Sequence, residues 1–415
     1  MNSINLQDKT NNKYSQRPKD RAMPNPKQRQ HSIMTKNQAI RLNALKKAIA
    51  FYLILSIVFS GCKKSTPAQA QTGNTETSGR KETNQAAADE FFQIAVIPDT
   101  QYYTSEEHGG TLDMFQQQIT WIKTNRETSN IAYVIHLGDV VDHGEDQLAE
   151  WTNAKNILYQ LETPVTGLPN GIPYGLAVGN HDQTPNGFPG EGGTNNGYAK
   201  YFGKDHFLGR AYYGAPYGSS NNNDNHYDLF SANGTDYIVL YIEYNTPGDA
   251  EYSAAIEAAV MSWADGVLTT YASRKAIIVS HSLLRLPAGS NSDIQGGSGT
   301  NAVAAAFTYQ GQVIYDRVKT HDNVFLMLGG HVSGEGFRQD TYNGHVIKSY
   351  LSDYQSRQNA PYSGEASRNG GNGLMRLMKF NKTTQTLSVR TFAPKTGANI
   401  LETDGDSEFS KPLYN

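Results

Sequence analysis

Apolar runs of strand length alternate along this chain with segments whose apolar positions recur every three or four residues, and the runs keep stopping at a polar side chain. Residues 92–98 are a short apolar run closed by Asp99, and after a loop Leu112, Phe115, Ile119 and Ile122 mark one face of a helix predicted over 112–126. A buried strand over 131–137 leads into Gly138-Asp139, a helix follows over 145–161, and a third strand over 174–178 ends in Gly179-Asn180. Further on come strands over 225–230 and 237–244, a helix over 252–271, a strand over 275–280 that stops at His281, a helix over 302–318, and a strand over 324–328 that runs into Gly329-Gly330-His331. Alternating segments near 344–351, 374–380 and 386–392 read as an antiparallel flank. This alternation predicts an α/β fold. In open α/β sheets the carboxyl ends of strands line the ligand crevice, so polar residues placed there converge although far apart in sequence.

Two stretches break the pattern. Residues 183–224, rich in Gly, Asn and Pro with scattered Tyr, read as a loop insertion within one domain spanning 91–415, the kind of loop that shapes substrate access. Residues 62–90, rich in Thr, Gln, Ala, Asn and Gly, lack the apolar periodicity that offsets chain ordering and are expected to form a flexible linker. Ahead of them, residues 48–60 are apolar apart from serines, follow Arg41, Lys46 and Lys47, and are too short to span a bilayer. A basic region, a short apolar run and small residues before a break describe a secretory signal. With Ser60-Gly61 directly before Cys62, the segment resembles a bacterial lipoprotein signal. The resemblance implies that residues 1–61 are a leader with its true start at Met34, and that Cys62 is lipidated. It also implies a membrane anchor at the bacterial cell envelope, on the periplasmic or the cell-surface face. An ordinary signal peptide and a buried free thiol are the other readings of Cys62.

The 415 residues allow two or three average domains, but α/β folds with insertions often use 250–350 residues as one unit, roughly the length left here behind a long leader. A formal charge of -3 offers no basic excess to follow a phosphate backbone, so no nucleic-acid partner is expected. Cys62 is the one cysteine, which excludes an internal disulfide. The 25 Tyr against 15 Phe, with 39 Gly, suggest a loop-rich body with wet, hydroxyl-bearing surfaces.

Five segments carry the chemistry: Pro98-Asp99-Thr100-Gln101, Gly138-Asp139-Val140-Val141-Asp142, Gly179-Asn180-His181-Asp182, Val279-Ser280-His281-Ser282 and Gly329-Gly330-His331-Val332-Ser333. Each alone is weak. In this order and at strand ends they resemble the calcineurin-like metallophosphoesterase family, with its pattern D-x-H, G-D-x-x-D, G-N-H-D/E, H and G-H-x-H. Pro98-Asp99-Thr100-Gln101-Tyr102, the run from Gly329 to Gly336, Asp353-Tyr354-Gln355 and the run from Gly371 to Leu377 are similar to a bacterial envelope branch of that family.

The resemblance implies a four-layer αββα sandwich of two mixed β-sheets and a centre of two divalent metal ions, Mn, Fe or Zn. Two cations relieve the repulsion between an anionic ester and its nucleophile and generate hydroxide from bound water. Carboxylate, amide oxygen and imidazole suit those ions without a thiolate. By motif, Asp139 bridges the metals, Asn180, His281 and His331 complete the second site, and Asp99 belongs to the first. His181 matches the general acid for the leaving oxygen, with Asp182 placed to orient its ring and Asp142 to hold the motif or a water. His143 and Asn180 are placed to contact substrate.

The chain departs from the pattern at Gln101 and Ser333, where two imidazoles of the first metal are missing. That weakens the first site and favours Mg or Mn on Asp99, Gln101 and Asp139, with Glu335 a candidate substitute ligand. The reading is a metal-dependent hydrolase of phosphomonoesters or phosphodiesters. Its rival is a non-catalytic, metal-containing envelope lipoprotein that holds a glycan or peptide in its Tyr- and Asn-rich loop. A Ser-His-Asp hydrolase lacks the G-x-S-x-G elbow. His108, His136, His206, His226, His321 and His345 are expected to be solvated or satisfied side chains.

Overall fold

The computed structural model describes residues 90–414 apart from 145–146, 196, 219, 288–303, 356–369 and 396–398. The leader, Cys62 and the linker up to residue 89 lie outside the described residues. In chain order the strands are β1 (Phe91–Ile97), β2 (Ile131–His136), β3 (Tyr174–Leu176), β4 (Tyr213–Pro216), β5 (His226–Ala232), β6 (Thr235–Ile242), β7 (Lys275–Ser280), β8 (Leu284–Arg285), β9 (Ala306–Phe307), β10 (Val324–Gly329), β11 (Gly334–Tyr342), β12 (His345–Asp353), β13 (Met375–Asn381), β14 (Thr386–Ala393), β15 (Ile400–Glu402) and β16 (Glu408–Pro412).

Two large mixed sheets result. One has the order β15-β14-β13-β1-β2-β3 with β16 also on β14, and the other runs β11-β12-β10-β7-β6-β5-β4. In the first sheet β1, β2 and β3 are parallel and β13 joins β1 antiparallel. In the second, β6, β7, β10 and β12 are parallel. Parallel neighbours need crossovers. Helices α1 (Gln101–Ser105) and α2 (Leu112–Asn125) link β1 to β2, and α3 (Leu148–Leu158) links β2 to β3. In the second sheet α4 (Ala254–Thr270) links β6 to β7, and α5 (Tyr309–Val318) precedes β10.

Side-chain alternation shows why the sheets stack. On β6, Tyr237, Val239 and Tyr241 join one buried cluster with residues of the first sheet, while Ile238, Leu240 and Ile242 join another with Val260, Ala264 and Leu268 of α4. A period of two puts successive residues on opposite faces, so both faces of β6 are apolar and each needs a cover. The arrangement is the four-layer αββα sandwich expected, with helices outside and the sheets facing each other.

Several expectations are corrected. The helix expected over 302–318 begins at Tyr309, because the Thr308 hydroxyl accepts from Gly311 N–H at 2.9 Å and caps it, while Ala306–Phe307 pair with Leu284–Arg285. The helix expected over 145–161 spans Leu148–Leu158 and tightens into a 3₁₀ turn at Tyr159–Glu162. Strands β11, β15 and β16 escaped the apolar pattern; β11 is polar along its outer half, where its buried residues thin out after Gly336. Residues 183–224 carry short helices at Glu191–Thr194, Gly197–Phe202 and Lys204–Phe207 as well as β4. The tyrosines are not chiefly surface residues: Tyr133, Tyr237, Tyr241 and Tyr350 are buried, and the Tyr133 hydroxyl donates to Asp228 and lies 3.1 Å from that of Tyr241.

Candidate metal centre

The expected site residues leave the sheets at their carboxyl ends in sharp turns. Gly138 and Asp139 follow β2 with φ of 103° and 47°, and His331 follows β10 with φ of 69°. Left-handed backbone at non-glycine residues persists only where the surroundings hold it. Here Asp139 is held by its carboxylate: Oδ1 accepts from His181 N–H at 3.0 Å and Oδ2 accepts from Gln101 Nε2 at 3.2 Å. The glycines of the motifs have a steric reason. A Cβ at Gly179 would lie 2.1 Å from Asp139 Oδ1, and one at Gly330 would lie 2.1 Å from Asp99 Oδ1.

His281 is fully buried, and its Nδ1–H donates to the Leu137 carbonyl at 2.9 Å. That bond leaves Nε2 as the lone-pair nitrogen. Nε2 stands 3.0 Å from Asp139 Oδ2 yet lacks hydrogen-bond geometry to it. Two lone pairs this close need a cation or a proton between them. In the chain by itself the proton is favoured: burial opposes it, but the Asp139 and Asp99 carboxylates outweigh burial and push the ring up to about 10. A metal ion competes for the same position. His331 is pushed the other way, to about 4, by burial and by the nearby His281, so its ring is neutral and ready to bind. Asp139, His281 and His331 offer ligand atoms all within 4.8 Å of one another.

Further acceptors point to the same need. Among the described residues no donor reaches the buried Asp99 Oδ1, Gln101 Oε1 or Asn180 Oδ1. Asp99 Oδ2 accepts from His331 N–H at 3.1 Å, and Asn180 Nδ2 donates to Asn186 Oδ1 at 3.1 Å, which turns the amide oxygen of Asn180 the other way. Burial, and then the charge of Asp353, holds the Asp99 carboxyl well above the usual carboxylate range. Buried oxygens without donors are costly, and a divalent ion satisfies several at once. The donor set therefore fits metal ions.

The two aspartates beside His181 exchange the roles expected of them. Asp182 does not touch the imidazole: its Oδ1 accepts from Val140 N–H at 2.8 Å and Val141 N–H at 3.2 Å, and its Oδ2 from Gly179 N–H at 2.9 Å. It ties the loop after β2 to the loop after β3. The ring is held by Asp142, whose carbonyl lies 2.7 Å and carboxylate 3.1 Å from His181 Nδ1. Asp142 is itself held by Glu150, which also accepts from His143 N–H at 2.9 Å and bonds the His143 ring at 2.9 Å. His143 keeps 43% of its side chain exposed beside this pair, and the Glu150 bond raises its pKa.

Glu335, the candidate substitute ligand, is turned away from this centre. It points into a separate buried cluster where its carboxylate meets Arg376 Nη2 and the Tyr354 hydroxyl, each at 2.6 Å. The remaining histidines among the described residues have partners: His136 bonds Thr100 Oγ1 at 3.0 Å and Gly138 N–H at 3.2 Å, His226 bonds Asn223 O, His206 bonds Glu162, His321 bonds Asp265, His345 bonds Val324 O, and the His108 ring lies against Tyr102.

Three neighbours of the site are not among the expected site residues, although Asp353 belongs to a motif of the resemblance. Glu150 carries no local signal. Tyr244 packs its ring 5.1 Å from that of His331 and shares a cavity of about 460 Å³ with Asp249, Arg285, Phe307 and Tyr309. Asp353 closes β12 as the other ligand-type residues close their strands, which is the local signal for it.

A model of the family described as calcineurin-like phosphoesterase matches residues 92–332. The uncharacterized protein YvnB of Bacillus subtilis (strain 168) is 31% identical over 339 residues, which cover 79% of this chain and 22% of that protein. The chain thus spans about a fifth of that relative's length. Among solved structures, GAP50, the anchor in the inner membrane complex of Plasmodium, matches with 12% identity and a TM-score of 0.43, over 76% of this chain and 91% of that one. A dimetal phosphatase from Danio rerio matches with 12% identity and a TM-score of 0.41, over 75% and 99%.

Proposed function

The chain belongs to the calcineurin-like phosphoesterase family of metal-dependent phosphoester hydrolases, and from that premise we propose that it cleaves phosphomonoesters or phosphodiesters with His181 as proton donor to the leaving oxygen. Family membership implies two divalent ions. Asp139, Asn180, His281 and His331 are the residues to hold one, and Asp99, Gln101 and Asp139 the other; bound there, the ions supply charge neutralisation and water activation. The observation that carries the reading is the trio of the buried Asp139 and His281 with the half-buried His331, whose ligand atoms lie within 4.8 Å of one another, with His181 anchored beside it.

His181 has its Nδ1 occupied by the Asp142 carbonyl, which leaves Nε2 to carry the proton that moves. In the metal-free chain burial opposes the charged ring, but Asp139 and Asp142 outweigh it and push His181 up to about 10; with Asp139 on metal, the contact with Asp142 is what remains to favour the protonated donor. Asp142 positions that ring, and Asp182 keeps the two loops that carry Asp139 and Asn180 in register. The cavity beside His331, with Tyr244, Phe307, Tyr309 and Arg285 in its walls, is the place for the organic part of the ester. On the leader sequence alone, the reading also includes a lipid anchor on Cys62 at the bacterial cell envelope; Cys62→Ser is expected to end labelling by a palmitate analogue and to release the protein from the membrane fraction.

The test is to strip the full chain of metal, restore Mn, Zn, Fe, Mg and Ca in turn, and assay an aryl phosphate monoester and diester. We expect metal-dependent turnover that His181→Ala lowers by about 10²–10⁴-fold in kcat and that Asn180→Ala also lowers. Folded, metal-loaded protein inert on both esters would overturn the reading in favour of a binding lipoprotein.

A further inference from the structure

We propose that the half of the centre around Asp99 is an all-oxygen cation site completed by Asp353, and that it takes a hard divalent ion such as Mn, Mg or Ca. The inference rests on the two-metal reading above and assigns a ligand to the position where the family pattern has lost its imidazoles.

The fold puts Asp353 there by the same rule that places the other ligands. Strand β12 runs parallel beside β10 with Leu351 paired to Gly329, so the chain leaving β10 at His331 and the chain leaving β12 at Asp353 emerge side by side. Asp353 is 1% exposed. Its Oδ2 lies 3.5 Å from the hydroxyl of Ser333, the residue that stands in place of the second imidazole of G-H-x-H. His331, next to it on the neighbouring strand end, donates its N–H to Asp99.

The unmet demand at this spot is for a cation. Asp99 Oδ1, Gln101 Oε1 and Gln355 Oε1 are buried with no donor among the described residues. Gln355 also donates its N–H and its Nε2 to Asp353, each at 2.9 Å, and so fixes the direction of that carboxylate. A local cap explains the bonds to Gln355, but it leaves the three orphaned oxygens unexplained. Carboxylate and amide oxygens select Mg, Mn or Ca, whereas the imidazole pair on the other side suits Zn, Fe or Mn.

Metal content decides the matter apart from activity. The full chain, stripped with chelator, is titrated with Mn and with Zn by calorimetry, and bound metal is counted by elemental analysis. Wild type is expected to take two Mn but to hold one Zn tightly. Asp353→Asn is expected to lose one Mn equivalent, or to bind it at least about 10-fold more weakly, with Zn binding unchanged, and Asp353→Glu to recover part of the Mn affinity. Retention of both Mn at wild-type affinity in a folded Asp353→Asn would overturn the assignment. Should the variant fail to fold, anomalous diffraction at the Mn edge from wild-type crystals decides: a peak against the Asp353 carboxylate supports the proposal, and a first-site peak away from it overturns it. If the Mn equivalent depends on Asp353 but neither ester is cleaved, the metal assignment stands and the phosphoesterase reading falls. If esters are cleaved and Asp353→Asn keeps both ions, the reverse holds.

Discussion

Two buried acidic clusters lie on strand ends of this protein, and they differ in who answers their charge. Around Glu335 the chain answers it internally: Arg376 gives the carboxylate a bond of 2.6 Å, Tyr354 and Ser407 give hydroxyl bonds of 2.6 Å, and Thr391 one of 3.1 Å. Arg376 spends its other donors on Leu351 O, Thr391 Oγ1 and Asp406 O. Around Asp139 and Asp99 the bonds stop short: Asp99 Oδ1, Gln101 Oε1 and Asn180 Oδ1 have no donor among the described residues, and His281 Nε2 meets only the Asp139 carboxylate. Both clusters are rich in carboxylates, and their carboxylates are buried alike. What separates a structural cluster from a ligand site is not acidity or burial but the balance of donors against lone pairs.

The largest effect should come from unbalancing the satisfied cluster. Arg376→Met strands Glu335 and is expected to lower stability by about 3–5 kcal/mol in urea denaturation; a loss below about 1 kcal/mol would mean the cluster is wetter than its burial implies. The unsatisfied cluster should respond to metal instead. At a free Mn concentration 100 times Kd, wild type is expected to gain about 2.7 kcal/mol, seen as a rise in Tm. Arg376→Met should start lower yet keep that gain, whereas His331→Ala should lose most of it. Equal gains in all three proteins would mean that the two clusters do not differ in their demand for metal.

A smaller lever separates histidines held charged from those held neutral. Burial pushes both His136 and His226 down to about 3 from the ordinary 6.5, so the unfolded chain binds protons there that the folded chain refuses. The contribution of these two histidines to the stability of the metal-free protein should therefore be full above pH 6.5 and fall as pH drops toward 3, by about 2 kcal/mol per histidine at pH 5. In His226→Gln that decline between pH 6.5 and 5 should be visibly shallower; an unchanged slope would show that His226 is not excluded from protonation in the fold.

Much of the site could be read along the chain because its signals are local. A strand ends where its apolar run ends, and a glycine stands where the next carboxylate passes within contact distance, as at Gly179 and Gly330. Such features set out Asp99, Asp139, Asn180, His281 and His331 as ligand-type residues at strand ends of an α/β fold, while the four-layer sandwich was what the resemblance carried by their motifs implies. The start of α5 was misread because an alanine-rich run looks helical until the Thr308 cap and the pairing of β9 with β8 are known.

Partner choice belonged to the tertiary structure alone. That Asp142 rather than Asp182 holds His181, that Glu335 pairs with Arg376, and that Asp353 emerges beside His331 all depend on which strand lies beside which and in what register. The hydrophobic period of a segment sets which of its faces is buried. It carries no information about the neighbour that face meets, and a side chain's charge is answered by that neighbour.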